Sequence, residues 1–242
     1  MRHAIIGTAL LALAIAGPAA AQTPPPAIVR AVVAAGKLPD IIAEPLYFRA
    51  DTITLAAGRI SAPNGILYQL SGSSTVAASG EKKTLAAGEA ILLAGGGEAV
   101  LTAEGDGSSR SIFFVLTTAA LVDKPLATAP ATVAELYRTP AAIPDLKTGS
   151  YDINLTRVTF PPQMPSNPPH HRSGAALYYI LSGTGANTIA GKTTSRGPGS
   201  LIYEPSGLVH QWGNPGAEPL TFIAFNINPE GTPAVVPETP PK

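Results

Sequence analysis

The stretch GSLIYEPSGLVHQWGN, residues 199–214, decides how this chain is interpreted. An apolar run leads into a turn that contains Pro205 and Gly207, and His210 follows where the next apolar run begins. Proline fixes φ in such a turn, and glycine permits a sharp reversal of the backbone. The pattern therefore predicts two consecutive strands, with an imidazole placed just past the turn that joins them.

The glycines of this stretch recur earlier in the chain at a constant distance. Sliding the chain by 111 residues superposes Gly72 on Gly183 and Gly88 on Gly199 without a gap. Glycines kept at equal spacing mark turns where φ is positive or space is tight, so they indicate two copies of one plan of strands and turns. We expect one copy over residues 46–116 and the other over residues 151–228.

The spacing Gly-x5-Pro-x-Gly-x2-His-x3-Asn in residues 199–214 resembles the second signature motif of the cupin superfamily, and residues 168–183 resemble the first. The resemblance implies an all-β fold with two double-stranded β-helix (jelly-roll) barrels in tandem, a bicupin. The predicted organisation is a signal peptide (1–21), an N-terminal arm (22–45), a degenerate barrel (46–116), a linker (117–150), a functional barrel (151–228) and a Pro-rich tail (229–242).

Two short segments outside the copies show helical features. Residues 27–37 carry apolar side chains at helical spacing, at Ile28, Val32 and Val33, which predicts a helix in the N-terminal arm. Residues 132–137 in the linker are interpreted as a short helix packed across the barrels.

The first residues predict export. A basic start at Arg2, an apolar run over 4–16, and small residues at Ala19 and Ala21 before Gln22 are typical of a secretory signal peptide. The apolar run is too short to span a bilayer. The chain has no Cys, which excludes a disulfide framework and a cysteine-linked lipid anchor. We therefore expect a soluble, secreted protein of a bacterial periplasm.

The charge excludes two classes of partner. Charged residues make up 13% of the chain and the formal net charge is zero, so nothing favours nucleic acid or an anionic membrane. The cupin resemblance implies a small-molecule ligand or substrate instead, and it implies pairing into homodimers.

The N-terminal copy has no histidine. Arg59, Ile60 and Ala99 overlie the three histidines of the C-terminal copy, and Ala94 overlies the proline of the turn. Such residues do not hold a transition metal. The N-terminal copy is therefore interpreted as a structural half, with an apolar ligand pocket as the alternative.

The C-terminal copy holds His170, His171 and His210, which are the candidate metal ligands. In the cupin motif His-x-His-x3-4-Glu-x6-Gly, counting back from Gly183 puts the carboxylate at the position of Ala176, so that ligand is missing.

The histidine pair also departs from the motif. Depending on the register, the two histidine positions are His170 and Arg172, or Pro169 and His171. Neighbouring residues of a strand point to opposite faces, so His170 and His171 reach one ion only across a β-bulge.

Two functions follow from these alternatives. With His170, His171 and His210 as ligands of Fe, Mn, Ni, Zn or Cu, the resemblance implies a metal-assisted enzyme of the dioxygenase, isomerase or lyase type. Without a metal, His170, Arg172 and His210 would bind a carbohydrate or a small carboxylate in a non-catalytic protein. A silent structural barrel is a third interpretation, and the sequence leaves open whether the protein is an enzyme.

Two aromatic residues are predicted to line the same pocket. Tyr178 shares a strand face with Ala176, and Trp212 lies two residues past His210 on the same face, where it could stack on a ring. Glu204 is a candidate replacement for the missing carboxylate, but its position before Pro205 does not tell where its side chain points.

Overall fold

A computed structural model describes residues 27–38, 44–55, 57–62, 64–78, 80–93, 97–105, 108–126 and 131–238. The predicted signal peptide lies outside these ranges. Within them every regular element is a β-strand, and no helix is present that could cross a membrane.

The described residues of the N-terminal half form ten strands. They are β1 (Val29–Leu38), β2 (Leu46–Leu55), β3 (Ala57–Ala62), β4 (Gly65–Ser71), β5 (Ser73–Ala78), β6 (Glu81–Ala86), β7 (Ala90–Leu93), β8 (Gly97–Ala103), β9 (Ser109–Thr118) and β10 (Thr132–Arg138).

The C-terminal half contains nine. They are β11 (Tyr151–Phe160), β12 (His170–Arg172), β13 (Ala175–Ser182), β14 (Gly185–Ile189), β15 (Lys192–Arg196), β16 (Leu201–Glu204), β17 (His210–Gly213), β18 (Leu220–Pro229) and β19 (Val235–Pro237).

Each half of the chain forms a barrel of two antiparallel sheets. The N-terminal barrel combines the sheet β10-β2-β9-β4-β7 with the sheet β3-β8-β5-β6. The C-terminal barrel combines β1-β11-β18-β13-β16 with β15-β14-β17-β12-β19. Rolling two sheets around one core shortens the exposed edges that open sheets present. The predicted all-β fold with two tandem double-stranded β-helix barrels is confirmed.

The two barrels repeat each other in detail. Gly72 and Gly183 have φ of 68° and 75°, and Gly88 and Gly199 have φ of 90° and 82°, so the superposed glycines lie at equivalent left-handed turns. The ladder β4–β9 shifts register between Gln69 and Ser71, and the ladder β13–β18 shifts at the corresponding place. The repeated glycine spacing therefore reports a repeated backbone conformation.

One edge strand of the sheet β10-β2-β9-β4-β7 and one of the sheet β1-β11-β18-β13-β16 come from an unexpected part of the chain. β1 precedes the N-terminal barrel but pairs with β11 of the C-terminal barrel, and β10 precedes the C-terminal barrel but pairs with β2 of the N-terminal barrel. Each barrel is thus completed by the segment that leads into the other. We call this arrangement the strand exchange.

The strand exchange corrects two predictions. Residues 29–38 form a strand and not the helix predicted for residues 27–37, and residues 132–138 form a strand and not the short linker helix. Both segments cover the edge of a sheet whose backbone N–H and C=O groups would otherwise lack strand partners. This long-range pairing outweighs the local helical spacing.

The two barrels share one apolar core. Phe48 and Phe114 of the N-terminal barrel pack against Phe225 of the C-terminal barrel, with ring centroids 5.4 and 5.7 Å apart. Tyr203 contacts Phe48 edge-on at 6.0 Å. The sheets β10-β2-β9-β4-β7 and β1-β11-β18-β13-β16 therefore lie back to back.

Apolar side chains pack in the interior of the N-terminal barrel, among the residues that the structure describes. Leu67, Phe113 and Ala99, which overlies His210, are fully buried there. The buried Gln69 amide donates to Ser109 Oγ at 2.7 Å and accepts from Ser74 Oγ at 2.7 Å. The side chains of Arg59 and Ile60, and Ala94 as a whole, lie outside the described residues.

Candidate functional site

Strand β12 fixes the register that the sequence left open. His170 lies opposite His210 in the ladder between β12 and β17, and both His170 and Arg172 line a cavity inside the C-terminal barrel. The His170–Arg172 register is therefore the one that the structure adopts. On its other side β12 pairs with β19, so the predicted Pro-rich tail forms one wall of this region.

The structure does not bring His171 to the other two histidines. The Nδ1 atom of His171 bonds Glu238 Oε1, next to β19, and the side chain is 28% exposed. No bulge interrupts the register of β12 against β19, so neighbouring residues keep opposite faces. The predicted set of three histidine ligands is consequently not assembled.

His170 and His210 form a buried pair. Their ring centroids lie 4.3 Å apart, and each Nδ1 bonds the backbone carbonyl two residues earlier, that of Pro168 at 2.9 Å and that of Leu208 at 2.8 Å. A carbonyl accepts a hydrogen bond, so both Nδ1 atoms are the protonated nitrogens. Burial lowers the pKa of His170, which keeps this ring neutral near pH 7.

Glu204 lies at the centre of the polar cluster. It is fully buried on β16, directly opposite Ala176 in the ladder with β13. Its Oε1 accepts from Trp212 Nε1 at 2.9 Å. Its Oε2 lies 2.9 Å from His210 Nε2 and 3.4 Å from Arg172 Nε. The carboxylate missing at position 176 is thus supplied by the neighbouring strand.

The sequence indicated only in part that Glu204 replaces the carboxylate missing at position 176. Glu204 was recognisable as a spare carboxylate within the second motif, but its direction depends on the ladder that places β16 beside β13. That pairing joins segments on either side of two further strands, so no local pattern predicts it.

The cavity beside this cluster has a volume of about 300 Å³. Tyr178, Phe222 and Trp212 form an aromatic wall, with ring centroids 5.1 to 5.9 Å apart. The predicted lining residues Tyr178 and Trp212 both face the cavity, and each is almost fully buried. Together they offer an apolar, flat surface to a ligand.

Another part of the cavity lining is polar and positive. Asn154, Thr156 and Asn226 line it, as does Arg30, which reaches the C-terminal barrel through the strand exchange. The guanidinium carbon of Arg172 lies 5.2 Å from the centre of the Tyr178 ring, a cation–π contact. Sequence reasoning missed Arg30, because only the long-range pairing of β1 with β11 brings it here.

A divalent metal does not fit these donors. Both oxygens of Glu204 already contact N–H groups or His210, and the permanent cation of Arg172 occupies the motif position of a second histidine ligand. In the described ranges no three His, Cys, Asp or Glu side chains are arranged to hold a metal ion. The residues present therefore suit an uncharged or anionic ligand better than a metal ion.

Comparison with known proteins supports the fold. Residues 156–226 match the family model Cupin_2, described as a cupin domain. No curated protein matches the sequence.

Solved structures resemble both barrels together. Oxalate decarboxylase from Bacillus subtilis is 17% identical, with a TM-score of 0.51 over 84% of this chain and 73% of that chain. AerE from Microcystis aeruginosa is 16% identical, with a TM-score of 0.52 over 78% of this chain and 90% of that chain. A further structure of the decarboxylase concerns its Mn(II) centres and is 15% identical, with a TM-score of 0.50 over 84% and 74% of the two chains. At these identities the likeness establishes the fold alone.

Proposed function

We propose that the C-terminal cupin barrel binds a small organic carboxylate without a metal ion, and that Arg172 anchors the carboxylate. One observation carries this proposal. Arg172 lines the cavity with a side chain only 12% exposed, and its Nε atom contacts Glu204. Its two terminal nitrogens bond no residue among those that the structure describes. Buried guanidinium groups are normally paired, so these N–H groups suit the two oxygens of a carboxylate.

The charge of the cavity supports an anion. Glu204 balances Arg172, the neutral His170 adds no charge, and Arg30 leaves a net positive charge at the mouth. A cleft of one sign attracts ligands of the opposite sign. This charge favours a carboxylate over a neutral carbohydrate.

The aromatic wall defines the rest of the ligand. Trp212, Tyr178 and Phe222 offer a face that binds an apolar or planar group, in a cavity large enough for a molecule of modest size. The ligand would therefore combine a carboxylate with an apolar or ring-containing body.

Binding is preferred here to the metal-assisted enzyme predicted as the leading alternative. The dioxygenase, isomerase and lyase chemistries of cupins came from the family resemblance, and their metal site needs ligands that this barrel lacks at Ala176 and Arg172. Oxalate decarboxylase, with its Mn(II) centres, shares the fold at an identity too low to transfer its chemistry.

Titration followed by the fluorescence of Trp212, the single tryptophan, tests the proposal. Benzoate and phenylacetate should quench or shift the emission, while benzamide should not. Arg172→Lys keeps the charge opposite Glu204 but loses the planar pair of donors, so carboxylate affinity should fall at least tenfold. Arg110→Gln, an exposed arginine of the N-terminal barrel, is the matched control and should bind as the parent does.

Elemental analysis tests the metal-free proposal against the metal-assisted enzyme. Protein purified without chelator should contain well under one equivalent of divalent metal. One equivalent of Fe, Mn, Ni, Zn or Cu that disappears in His210→Ala would overturn the metal-free proposal and favour the metal-assisted enzyme.

We also propose that the protein binds its ligand after export to the periplasm. The support is the signal-peptide pattern of residues 1–21 together with the absence of cysteine. Protein isolated from its own cells should begin at Gln22. A retained Met1 on the isolated protein would contradict export.

A further inference from the structure

Two buried polar atoms in the cavity lack a partner among the described residues. They are Oδ1 of Asn226 and the hydroxyl of Tyr178, and both residues line the cavity. Asn226 is 3% exposed and Tyr178 is fully buried. Leaving a buried polar atom without a hydrogen bond is unfavourable, so such atoms usually have a partner that the chain itself does not supply.

The hydrogen bonds of Asn226 define what its partner must be. Its Nδ2 donates to Asn154 Oδ1 at 2.9 Å and to the backbone carbonyl of Ala224 at 2.9 Å. The carbonyl and amino ends of the amide are therefore fixed by this network. The remaining atom, Oδ1, is an acceptor and requires a donor. A carboxylate has no hydrogen to donate at neutral pH, so Asn226 must meet a different group of the ligand.

We propose that the ligand is a hydroxycarboxylate, whose hydroxyl donates to Asn226 Oδ1 while its carboxylate meets Arg172. This inference rests on the proposed binding of a carboxylate and deepens it. An ammonium group could also donate to Asn226, but it would share the cavity with the cations of Arg172 and Arg30. A hydroxyl provides the donor without that repulsion.

Tyr178 completes the recognition of the same ligand. Its ring lies under the Arg172 guanidinium, 5.2 Å from the guanidinium carbon, and its buried hydroxyl has no partner among the described residues. A phenol donates well to a carboxylate oxygen. The chain therefore offers donors to the carboxylate from Tyr178 and Arg172, and an acceptor to the hydroxyl from Asn226.

Matched pairs of acids that differ by one hydroxyl test the inference by isothermal titration calorimetry. The pairs are mandelate with phenylacetate, lactate with propionate, and malate with succinate. In at least one pair the hydroxylated acid should bind about tenfold more tightly, because only its hydroxyl supplies the donor that the buried Asn226 Oδ1 otherwise lacks. Equal affinities within every pair that binds would overturn the inference while leaving carboxylate binding intact.

Two variants locate the discriminating atom. Asn226→Ala should reduce the preference for the hydroxylated acid to less than threefold, and Tyr178→Phe should weaken both members of a pair equally. Asn187→Ala removes a buried asparagine that does not line the cavity, so it is the control and should keep the preference. A preference that survives in Asn226→Ala, or its loss in Asn187→Ala, would contradict the assignment of the hydroxyl to Asn226.

The two proposals fail in different ways. If no acid of the three pairs binds, the carboxylate site itself is refuted, and the hydroxycarboxylate inference with it. If acids bind with an affinity that depends on Arg172 but not on the hydroxyl, only the inference is refuted.

Discussion

Glu204 joins the two sheets of the C-terminal barrel. It lies on β16 of one sheet, and its carboxylate contacts Arg172 of β12 and both His210 and Trp212 of β17, which belong to the other sheet. The charge of one carboxylate thus positions the cation and the aromatic ring of the site. The same residue that shapes the cavity also stabilises the barrel.

Removing this charge should destabilise the protein. Glu204→Gln leaves the buried Arg172 cation without its counter-ion, and breaking a buried pair in this way costs about 3–5 kcal/mol. Urea denaturation followed by Trp212 fluorescence measures the loss. Glu218→Gln, an exposed residue in the turn before β18, should change stability by less than about 0.5 kcal/mol. A loss below 1 kcal/mol in Glu204→Gln would show that the carboxylate does not hold Arg172.

The pH dependence of stability should report His170. Desolvation by burial lowers its pKa from an unfolded value of about 6.5, with the bond to Pro168 acting in the opposite direction. The unfolded chain therefore binds a proton that the folded protein resists, so stability falls as the pH drops below about 7. His170→Gln should flatten this slope between pH 7 and pH 5 in urea denaturation. If the slope of the variant equals that of the parent, His170 does not titrate as a buried histidine.

At the scale of the strand, Trp212 depends on a neighbour without a side chain. A Cβ atom at Gly185 on β14 would lie 2.9 Å from Cζ3 of Trp212 and 2.7 Å from Cδ2 of Leu220. These distances are too short for carbon atoms in contact. The indole reaches Glu204 only because β14 carries glycine at this point.

Gly185→Ala should therefore displace the indole. We expect a loss of about 1–3 kcal/mol of stability from overpacking, and a red shift of the Trp212 emission as Nε1 leaves Glu204. Gly197→Ala is the matched control, since its Cβ would meet nothing closer than Thr184 Oγ1 at 3.9 Å. Unchanged emission in Gly185→Ala would mean that Trp212 is not held by this contact.

The sequence predicted the strands of the two copies because turn glycines and the cupin motifs are local signals. It failed for β1 and β10, whose conformation depends on sheet edges more than 70 residues away in the chain. In the site it identified Arg172, Tyr178, Trp212 and His170, which line the cavity, and His210, which lies opposite His170 in the ladder of β12 with β17. The positions of His171, Glu204 and Arg30 required the pairing of β12 with β19, β13 with β16, and β1 with β11.

At the scale of the whole molecule, the strand exchange and the shared core make the two barrels depend on each other. The N-terminal barrel packs Phe48 and Phe114 against Phe225 of the C-terminal barrel. Each barrel also takes an edge strand from the segment that leads into the other barrel. The C-terminal barrel takes β1 from the segment ahead of the N-terminal barrel, and the N-terminal barrel takes β10 from the segment ahead of the C-terminal barrel. The protein should therefore unfold as one cooperative unit.

Phe113→Ala tests this cooperativity. Phe113 is fully buried in the interior of the N-terminal barrel, so its truncation should cost about 3–5 kcal/mol. The unfolding midpoint reported by Trp212, which lies in the other barrel, should fall by as much as the midpoint reported by far-ultraviolet circular dichroism. Leu121→Ala, 43% exposed, should leave both midpoints in place. A Trp212 midpoint unchanged by Phe113→Ala would show that the barrels unfold independently.

The strand exchange also bears on how this chain arose. In a single-barrel ancestor with the same leading strand, that strand would have paired with the barrel of another molecule, as β1 and β10 pair here with the opposite barrel. Two such molecules complete each other only as a closed, two-fold symmetric, domain-swapped pair. Duplication and fusion of its gene would then convert that pair into one polypeptide with no change in strand pairing. In the present chain the copy at residues 46–116 has no histidine, and the cavity of the other barrel is lined in part by Arg30 from the segment ahead of that copy.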